Sequence, residues 1–175
     1  YEGTCGMAGE VGHMRLSPTG PVGYGKKGSF EGYCSGGGIA DLGKTRAKKA
    51  LKAGKPFAFC PTQEKIEKLT TYDICEAAKA GDKDALAIIK TSARRLGQGL
   101  AVLIDFFNPE RIVIGSIFTR AEELFREEME KVIAKEALSC NWEVCQVVPA
   151  ALGESIGDMA AISVAVNGRK NNGEN

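Results

Sequence analysis

Three side chains in the first 31 residues have types and spacing that could bind a ligand. Glu10 and His13 belong to the run Gly-Glu-Val-Gly-His, and Glu31 ends a second glycine-rich stretch. Carboxylates accept hydrogen bonds from hydroxyl groups, and an imidazole can donate or accept one. Two carboxylates and an imidazole that converge on one cleft are therefore suited to a polyhydroxylated ligand. The residue types alone leave open whether His13 contacts a ligand or is an incidental loop residue.

The segment that carries these side chains is rich in glycine and irregular in pattern. Of the 22 glycines, 12 lie in the first 38 residues, and a short strand-like run is expected at Val11–Leu16. Beyond this segment, apolar periodicity and helix-breaking residues predict a series of helices. Their expected bounds are about 38–53, 71–80 and 83–107, with a proline-containing loop over 54–63.

The longest predicted helix begins after Asp82 and ends at Asn108-Pro109. Asp is a favourable N-cap residue, and the apolar positions that follow recur at steps of three and four residues, which predicts one buried face. Gly97 and Gly99 lie within this helix, where each glycine costs about 1 kcal/mol relative to alanine. We expect these glycines to permit the close approach of another element.

The second half of the chain alternates predicted strands with predicted helices. Arg111–Ile114 is a β-branched run followed directly by Gly115, and Val144–Val148 is a second strand-like run that Pro149 ends. The expected helices are Thr119 to about Ala137 and Ser155–Val166, and a disordered tail is expected over 168–175. This alternation indicates an α/β architecture.

Charge and cysteine usage exclude several classes of protein. Lys and Arg total 23 and Asp and Glu total 22, which argues against a dedicated nucleic-acid binder. The apolar runs are too short to span a bilayer. The six cysteines form no CxxC pair and no signal peptide opens the chain, so we expect reduced thiols in a cytoplasmic protein. Residues 44–55 are locally basic. This segment is either a solvated helix face or a contact for a phosphate or a partner.

Three motifs occur together in the order and spacing of one family. They are Gly9–His13, the stretch Gly28-Ser-Phe-Glu31, and Phe107–Gly115. With the opening segment from Tyr1, they resemble the ROK family of bacterial sugar kinases and sugar-responsive repressors. The resemblance runs to about Val166 and corresponds to the C-terminal half of the family's proteins.

The resemblance implies a fold and a division of the chain. The expected fold is α/β, the C-terminal lobe of the actin-like ATPase (ribonuclease H-like) fold, with a mixed sheet flanked by helices. The lobe is expected over 1–167. Its parts are a sugar-binding loop region (1–38), a mainly helical part (39–110) and a nucleotide-side α/β part (111–167).

The resemblance also implies roles for five residues. Glu10, His13 and Glu31 match the family's contacts to sugar hydroxyls. Gly115 and Ser116 match a Gly-Gly pair near the adenosine of ATP, with serine in place of the second glycine. ATP and Mg²⁺ are the implied cofactors. The catalytic aspartate and the phosphate-binding glycine turn are expected to lie before the first residue, so this fragment is expected to lack a catalytic residue and to be inactive alone.

The sequence departs from the family at its zinc motif. Typical members bind zinc through Cys-x-Cys-Gly-x-x-Gly-Cys together with the histidine. Counting back from Glu31 places Val22, Tyr24 and Ser29 at the three cysteine positions. None is a thiolate, and one histidine cannot hold a tetrahedral zinc alone. We therefore expect no zinc, and a loop held instead by packing of Val22, Tyr24 and Phe30.

Three functions are compatible with the resemblance. The first is the C-terminal half of an ATP-dependent hexose or N-acetylhexosamine kinase. The second is the sugar-sensing domain of a repressor. Such a protein carries an N-terminal helix-turn-helix, and we expect nucleic-acid binding only if that module is present. The third is a degenerate sugar-binding protein without activity. The family implies a homodimer, and no membrane partner is expected.

Overall fold

Eight helices and four short strands are found in residues 3–171, the part of the chain that the structure describes. The structure is a computed structural model, and for residues 154, 156 and 167–171 the description is limited to the backbone. The helices are α1 (Phe30–Cys34), α2 (Gly36–Lys52), α3 (Gln63–Lys68), α4 (Thr71–Lys79), α5 (Lys83–Phe107), α6 (Ile117–Glu136), α7 (Ser139–Trp142) and α8 (Ile156–Asn171). The strands are β1 (Val22–Gly23), β2 (Lys26–Lys27), β3 (Arg111–Ile114) and β4 (Gln146–Pro149).

The central element is α5, whose predicted bounds are confirmed. The Asp82 carboxylate accepts hydrogen bonds from the backbone N–H groups of Asp84 and Ala85, each at 2.9 Å. Asn108 closes the helix in the left-handed conformation (φ 42°). Its apolar stripe is buried against α1, α4 and α6, and fully enclosed side chains from these helices form the core: Ile74, Ile88, Ile89, Ile104, Phe118, Phe125, Met129 and Ile133.

Gly97 and Gly99 permit the close helix packing that their positions predicted. A β-carbon on Gly97 would lie 2.6 Å from the Met129 carbonyl oxygen of α6. A β-carbon on Gly99 would lie 2.6 Å from the ring of Phe30 in α1. Both distances are shorter than van der Waals contact, so α6 and α1 approach α5 only because these two residues lack side chains.

The strands form two separate pairs. β3 and β4 are parallel, in register from Arg111 opposite Gln146 to Ile114 opposite Pro149, and α6 lies between them in the chain. β1 and β2 form a small antiparallel hairpin. Val147 is buried and Val113 is exposed, so one face of the parallel pair is covered by the core. The strand–helix alternation thus yields the α/β arrangement that the sequence indicates.

Some predicted elements are wrong. Val11–Leu16 is not a strand: Val11–His13 is a single 3₁₀ turn, and one isolated bridge joins Arg15 to Ser29. Gly9, with φ 88°, starts this turn, and its carbonyl accepts a hydrogen bond from Val11 at 2.6 Å. The short helices α1 and α3 were not anticipated, because five or six residues carry little periodicity.

The predicted disordered tail can be compared with the structure only in part. The backbone of α8 continues to Asn171, so the disordered tail predicted from Gly168 is wrong for its first four residues. Residues 1–2 and 172–175 lie outside the described residues, which includes the rest of the predicted tail. Within the described part of the chain, no helix combines the length and the apolarity needed to cross a membrane.

Candidate functional site

The loop that precedes Glu31 is held by its backbone around Gly28. The Gly28 N–H donates to the Pro21 carbonyl at 2.8 Å, and the Gly28 carbonyl accepts from the N–H groups of Leu16 and Ser17 at 2.8 and 3.1 Å. Gly28 has φ 67°, and a β-carbon there would lie 2.0 Å from the Ser17 carbonyl oxygen. Only glycine fits this position, which explains part of the glycine excess near the N-terminus.

Ser29 connects this loop to the helix that carries Glu31. Its side chain is fully buried, accepts a hydrogen bond from the Gly32 N–H at 3.1 Å and donates to the Gly23 carbonyl at 3.4 Å. Ser29 is therefore the N-cap of α1, and Glu31 lies in the first turn. The cap fixes where the Glu31 backbone lies relative to the β1–β2 hairpin.

Helix α1 is also anchored to α5 by a buried hydrogen bond. The Ser92 hydroxyl, fully buried, donates to the Tyr33 carbonyl at 2.8 Å. The Cys34 thiol packs beside it, 3.9 Å from the Ser92 carbonyl oxygen, and burial raises the pKa of this thiol far above its usual range. The thiol therefore stays protonated, which argues for a packing role rather than a nucleophilic one.

Glu31 lines a cleft of about 400 Å³, and one of its carboxylate oxygens is unpaired. Its Oε2 atom is buried and has no hydrogen-bond partner among the described residues. Gly12 lies directly over this side chain, where a β-carbon would be 3.3 Å from the Glu31 β-carbon and 3.9 Å from Oε2. Since buried polar atoms are nearly always paired in native proteins, this oxygen is a natural acceptor for a ligand donor.

Glu10 and His13 lie in a different cavity from Glu31. They are exposed and line a space of about 530 Å³ together with Met7 and Tyr24. The two cavities are adjacent, because Val11 and Gly12, which connect Glu10 to His13, line the Glu31 cleft. The structure therefore brings the three predicted ligand residues to one side of the loop but does not place them in a single cavity.

The Lys26 side chain fixes the position of the His13 backbone. Lys26, in β2, donates from Nζ to the His13 carbonyl at 2.7 Å. This contact ties the glycine-rich turn to the hairpin at the mouth of the cavity, so the Glu10–His13 turn and the hairpin would move together.

Gly115 and Ser116 line the same cleft as Glu31. The remaining walls are mostly apolar, from Leu96, Ile114, Ile117, Phe118 and Phe125. Ser116 is the N-cap of α6, but its side chain caps no N–H group. Its backbone has φ 56° and ψ −127°, a combination that glycine adopts far more readily than serine. A strained residue at the N-terminus of a helix therefore forms one wall of the cleft.

The sequence model of the ROK family matches residues 1–167. The chain belongs to the ROK family. A glucokinase of Halalkalibacterium halodurans is 32% identical over 157 residues, which is 89% of this chain and 46% of that protein.

Two solved structures of ROK proteins resemble the chain. A ROK glucokinase from Streptomyces griseus, in complex with glucose and AMPPNP, superposes with a TM-score of 0.66 at 29% identity, over 86% of this chain and 48% of that one. A ROK transcriptional regulator, a homologue of the Escherichia coli MLC protein, gives 0.69 at 30% identity, over 85% and 36%. The chain thus spans less than half the length of these relatives. The predicted α/β fold of actin-like ATPase type is confirmed.

The zinc-motif positions of the ROK family are occupied here by residues with different environments. Val22 and Tyr24 are 49% and 77% exposed, so the expectation that their packing holds the loop is wrong. Phe30 is buried as expected, and Ser29 holds the loop by hydrogen bonds. Among residues 3–171, no group of three His, Cys, Asp or Glu side chains is placed to hold a metal ion. The absence of zinc stays a prediction.

Sequence reasoning missed the residues that support this ROK loop from α5. Neither Ser92 nor Arg95 is among the predicted site residues, although the Nη1 atom of Arg95 donates to the Leu16 carbonyl at 3.2 Å. The Arg95 guanidinium also lies 5.1 Å from the ring centre of Tyr33. The sequence does indicate a role for Ser92, because a polar residue on the apolar stripe of α5 requires a buried hydrogen-bond partner.

Proposed function

We propose that this chain is the C-terminal half of an ATP-dependent sugar kinase whose substrate is a hexose or an N-acetylhexosamine. The observation that carries the proposal is that Glu31, whose Oε2 atom is buried and unpaired, lines the same cleft as Gly115 and Ser116. A sugar site and a nucleotide site must be neighbours in a kinase, because phosphoryl transfer requires the two substrates in contact.

The sugar is bound by Glu10, His13 and Glu31 in this proposal. The two carboxylates accept hydrogen bonds from sugar hydroxyls, and the His13 ring donates or accepts one. A hexose with hydroxyls on both sides of its ring can reach the adjacent cavities from the Val11–Gly12 connection between them. The buried Glu31 oxygen gains a donor that it lacks in the free protein, which favours binding.

The nucleotide is bound at the Gly115–Ser116 side of the cleft. The residues fit the group: a β-carbon on Gly115 would have no neighbour closer than 3.9 Å, and the nearby walls of Ile114, Ile117 and Phe118 are apolar. The N-terminal N–H groups of α6 have no side-chain cap from Ser116, so they can donate to a bound anion. ATP supplies the phosphoryl group when it is bound.

The catalytic base and the Mg²⁺ site come from the rest of the protein in this proposal. The resemblance places the aspartate that accepts the sugar hydroxyl proton, and the phosphate loop, in the half of the relatives that this chain does not cover. The fragment is accordingly inactive alone. The intact protein is a homodimer in the cytoplasm in this proposal, and the six free cysteines are compatible with a reducing compartment.

A sugar-sensing repressor is the second candidate, and Ser116 is the observation that favours it. Serine occupies a backbone conformation suited to glycine at the position where the family's kinases have the second residue of a Gly-Gly pair. A protein that senses sugar without using ATP has no need to keep this nucleotide contact. The similarity to the MLC homologue, with a TM-score of 0.69, is compatible with this function.

A coupled kinase assay on the full-length protein, with a panel of hexoses and N-acetylhexosamines, tests the proposal. We expect sugar-dependent ADP production with at least one of these sugars. Calorimetry with the same panel separates the alternatives: sugar binding without turnover supports the repressor or a degenerate binding protein. Operator DNA binding that sugar releases distinguishes the repressor from the degenerate protein. No binding of any sugar would overturn all three.

A further inference from the structure

The basic segment that the proposed function leaves unexplained forms one wall of a groove. Residues 44–55 contain six Lys or Arg side chains and no Asp or Glu. Within residues 3–171, none of the six forms an ion pair. Four lysines elsewhere each pair with a glutamate: Lys68, Lys79, Lys90 and Lys131. The basic segment is therefore a concentration of uncompensated positive charge in a nearly neutral chain.

We call this groove the α2 groove, and its volume is about 640 Å³. Its cations are Arg46, Lys49 and Lys55, and Asp84 is the acidic residue that lines it. Its apolar lining is provided by Ala50, Ala53, Pro56, Phe57 and Ala87. Phe57 is 9% exposed and stacks on Phe59, with ring centres 5.7 Å apart.

Arg46 is held in place before any ligand arrives. Its Nη1 atom donates to the Ala87 carbonyl at 2.9 Å, and Nη2 donates to the Thr91 hydroxyl at 2.8 Å. Lys49 and Lys55 are exposed and have no such partner among the described residues. The groove thus combines one fixed cation with two adaptable ones beside an apolar floor, and none of its lining residues belongs to the Glu31 cleft.

We infer that the α2 groove binds a short acidic segment of a partner protein, with carboxylates on the Lys49 and Lys55 ammonium groups and an apolar side chain on the floor beside Phe57. Charge complementarity and the apolar floor together select this occupant. Free phosphate would leave the apolar floor unused. A nucleic acid requires a longer positive track and a more basic protein than one with 23 Lys and Arg against 22 Asp and Glu.

The dimensions of the groove suit a few residues of extended peptide. The α2 wall from Arg46 to the C-cap residue Ala53 is about 10 Å long at a rise of 1.5 Å per residue. That length matches about three residues of extended chain, which rise by about 3.3 Å each. Asp84 repels a carboxylate at its end of the groove, so the acidic residues of the segment are directed towards α2.

The test uses the full-length protein on an array of short peptides in which acidic, basic and apolar residues are varied by position. The tightest acidic–apolar peptide is then labelled with fluorescein, and its binding is measured by anisotropy. We expect enrichment of Asp and Glu around one apolar position. The double substitution Lys49→Glu and Lys55→Glu should weaken binding by about tenfold or more. Raising the salt concentration to about 0.5 M should weaken it as well.

Lys135→Glu is the matched control, because Lys135 is exposed on α6 and does not line the groove. This change should leave peptide binding within about twofold. Circular dichroism should show that both variants fold, since all three lysines are exposed. The inference is overturned by an array without acidic enrichment, or by equal loss of binding in the control. Tighter binding of a short single-stranded oligonucleotide than of any peptide, or a groove-dependent change in oligomeric state without peptide binding, would also overturn it.

Discussion

The ring of Phe30 packs against the α-carbon of Gly99, so closely that a β-carbon on Gly99 would lie 2.6 Å from the ring. Phe30 precedes Glu31 at the start of α1, and Gly99 lies in the long helix α5. The contact therefore determines how far the glycine-rich loop before Glu31 lies from the core. The neighbouring hydrogen bond from Ser92 to the Tyr33 carbonyl secures the other end of α1.

Gly99→Ala should destabilise the protein even though alanine favours helices. The added methyl must displace the Phe30 ring, and overpacking of this kind costs about 1–3 kcal/mol. That cost exceeds the gain in helix propensity of about 1 kcal/mol at most. Chemical denaturation should show the loss in the free energy of unfolding. Gly37→Ala is the control, because Gly37 is exposed in α2 with open space around its β-carbon position, and it should be neutral or stabilising. Equal effects of the two changes would contradict the packing account.

Ser92→Ala should cost about 1–3 kcal/mol of stability, because the Tyr33 carbonyl loses its buried donor. In the full-length protein it should also weaken sugar binding, since α1 carries Glu31. Thr45→Ala on the exposed face of α2 serves as a control and should change the melting temperature little. A stable Ser92→Ala variant with unchanged sugar affinity would show that this hydrogen bond does not position α1.

Ser116→Gly should stabilise the protein by about 1 kcal/mol, since glycine adopts φ 56° and ψ −127° with less strain than serine. Ser116→Ala keeps the β-carbon and removes only the hydroxyl, so it should give no gain. If the kinase proposal is right, the glycine variant should also bind an ATP analogue more tightly in calorimetry. A stabilising alanine variant would instead implicate the hydroxyl, not the backbone.

Purified protein should contain near zero zinc by elemental analysis, and a chelator should leave its melting temperature unchanged. The reason is that Val22, Tyr24 and Ser29 stand where ROK proteins carry cysteines. The loop is held instead by hydrogen bonds of Ser29 and Gly28, which need no metal. Near one zinc ion per chain, or a large loss of stability with chelator, would show this prediction to be wrong.

Local signals explain which elements were predictable from the sequence. The bounds of α5 were correct because Asp82 and Asn108-Pro109 mark its ends within the sequence itself. The run Val11–Leu16 is not a strand because local hydrogen bonds, from the Val11 N–H to the Gly9 carbonyl and from the Met14 N–H to the Val11 carbonyl, close a 3₁₀ turn at its start. The division between the cavities of Glu10 and Glu31 could not be predicted from the sequence. It depends on how Ser92 and Gly99 place α1 against α5, and residue spacing contains no such information.

Glu31→Gln should reduce sugar affinity in the full-length protein without reducing stability. The change keeps the shape of the side chain but removes the charge that strengthens hydrogen bonds from sugar hydroxyls, a loss of about tenfold or more in affinity. The free protein should be at least as stable as before, because the buried Oε2 atom of the parent has no partner to lose.

Calorimetry with the sugar found in the panel and with an ATP analogue measures the two affinities, and thermal melting measures stability. ATP-analogue binding should be unchanged, since the proposed function places the nucleotide on the other wall of the cleft. Glu143→Gln is the control, an exposed glutamate outside both cavities that should affect neither ligand. Equal losses of sugar and nucleotide binding would count against Glu31 as a sugar ligand. A marked fall in melting temperature would mean that Glu31 supports the fold rather than the ligand. Substitution of a residue that binds only the ligand lowers affinity and leaves stability unchanged, whereas substitution of a residue that supports the fold lowers stability as well.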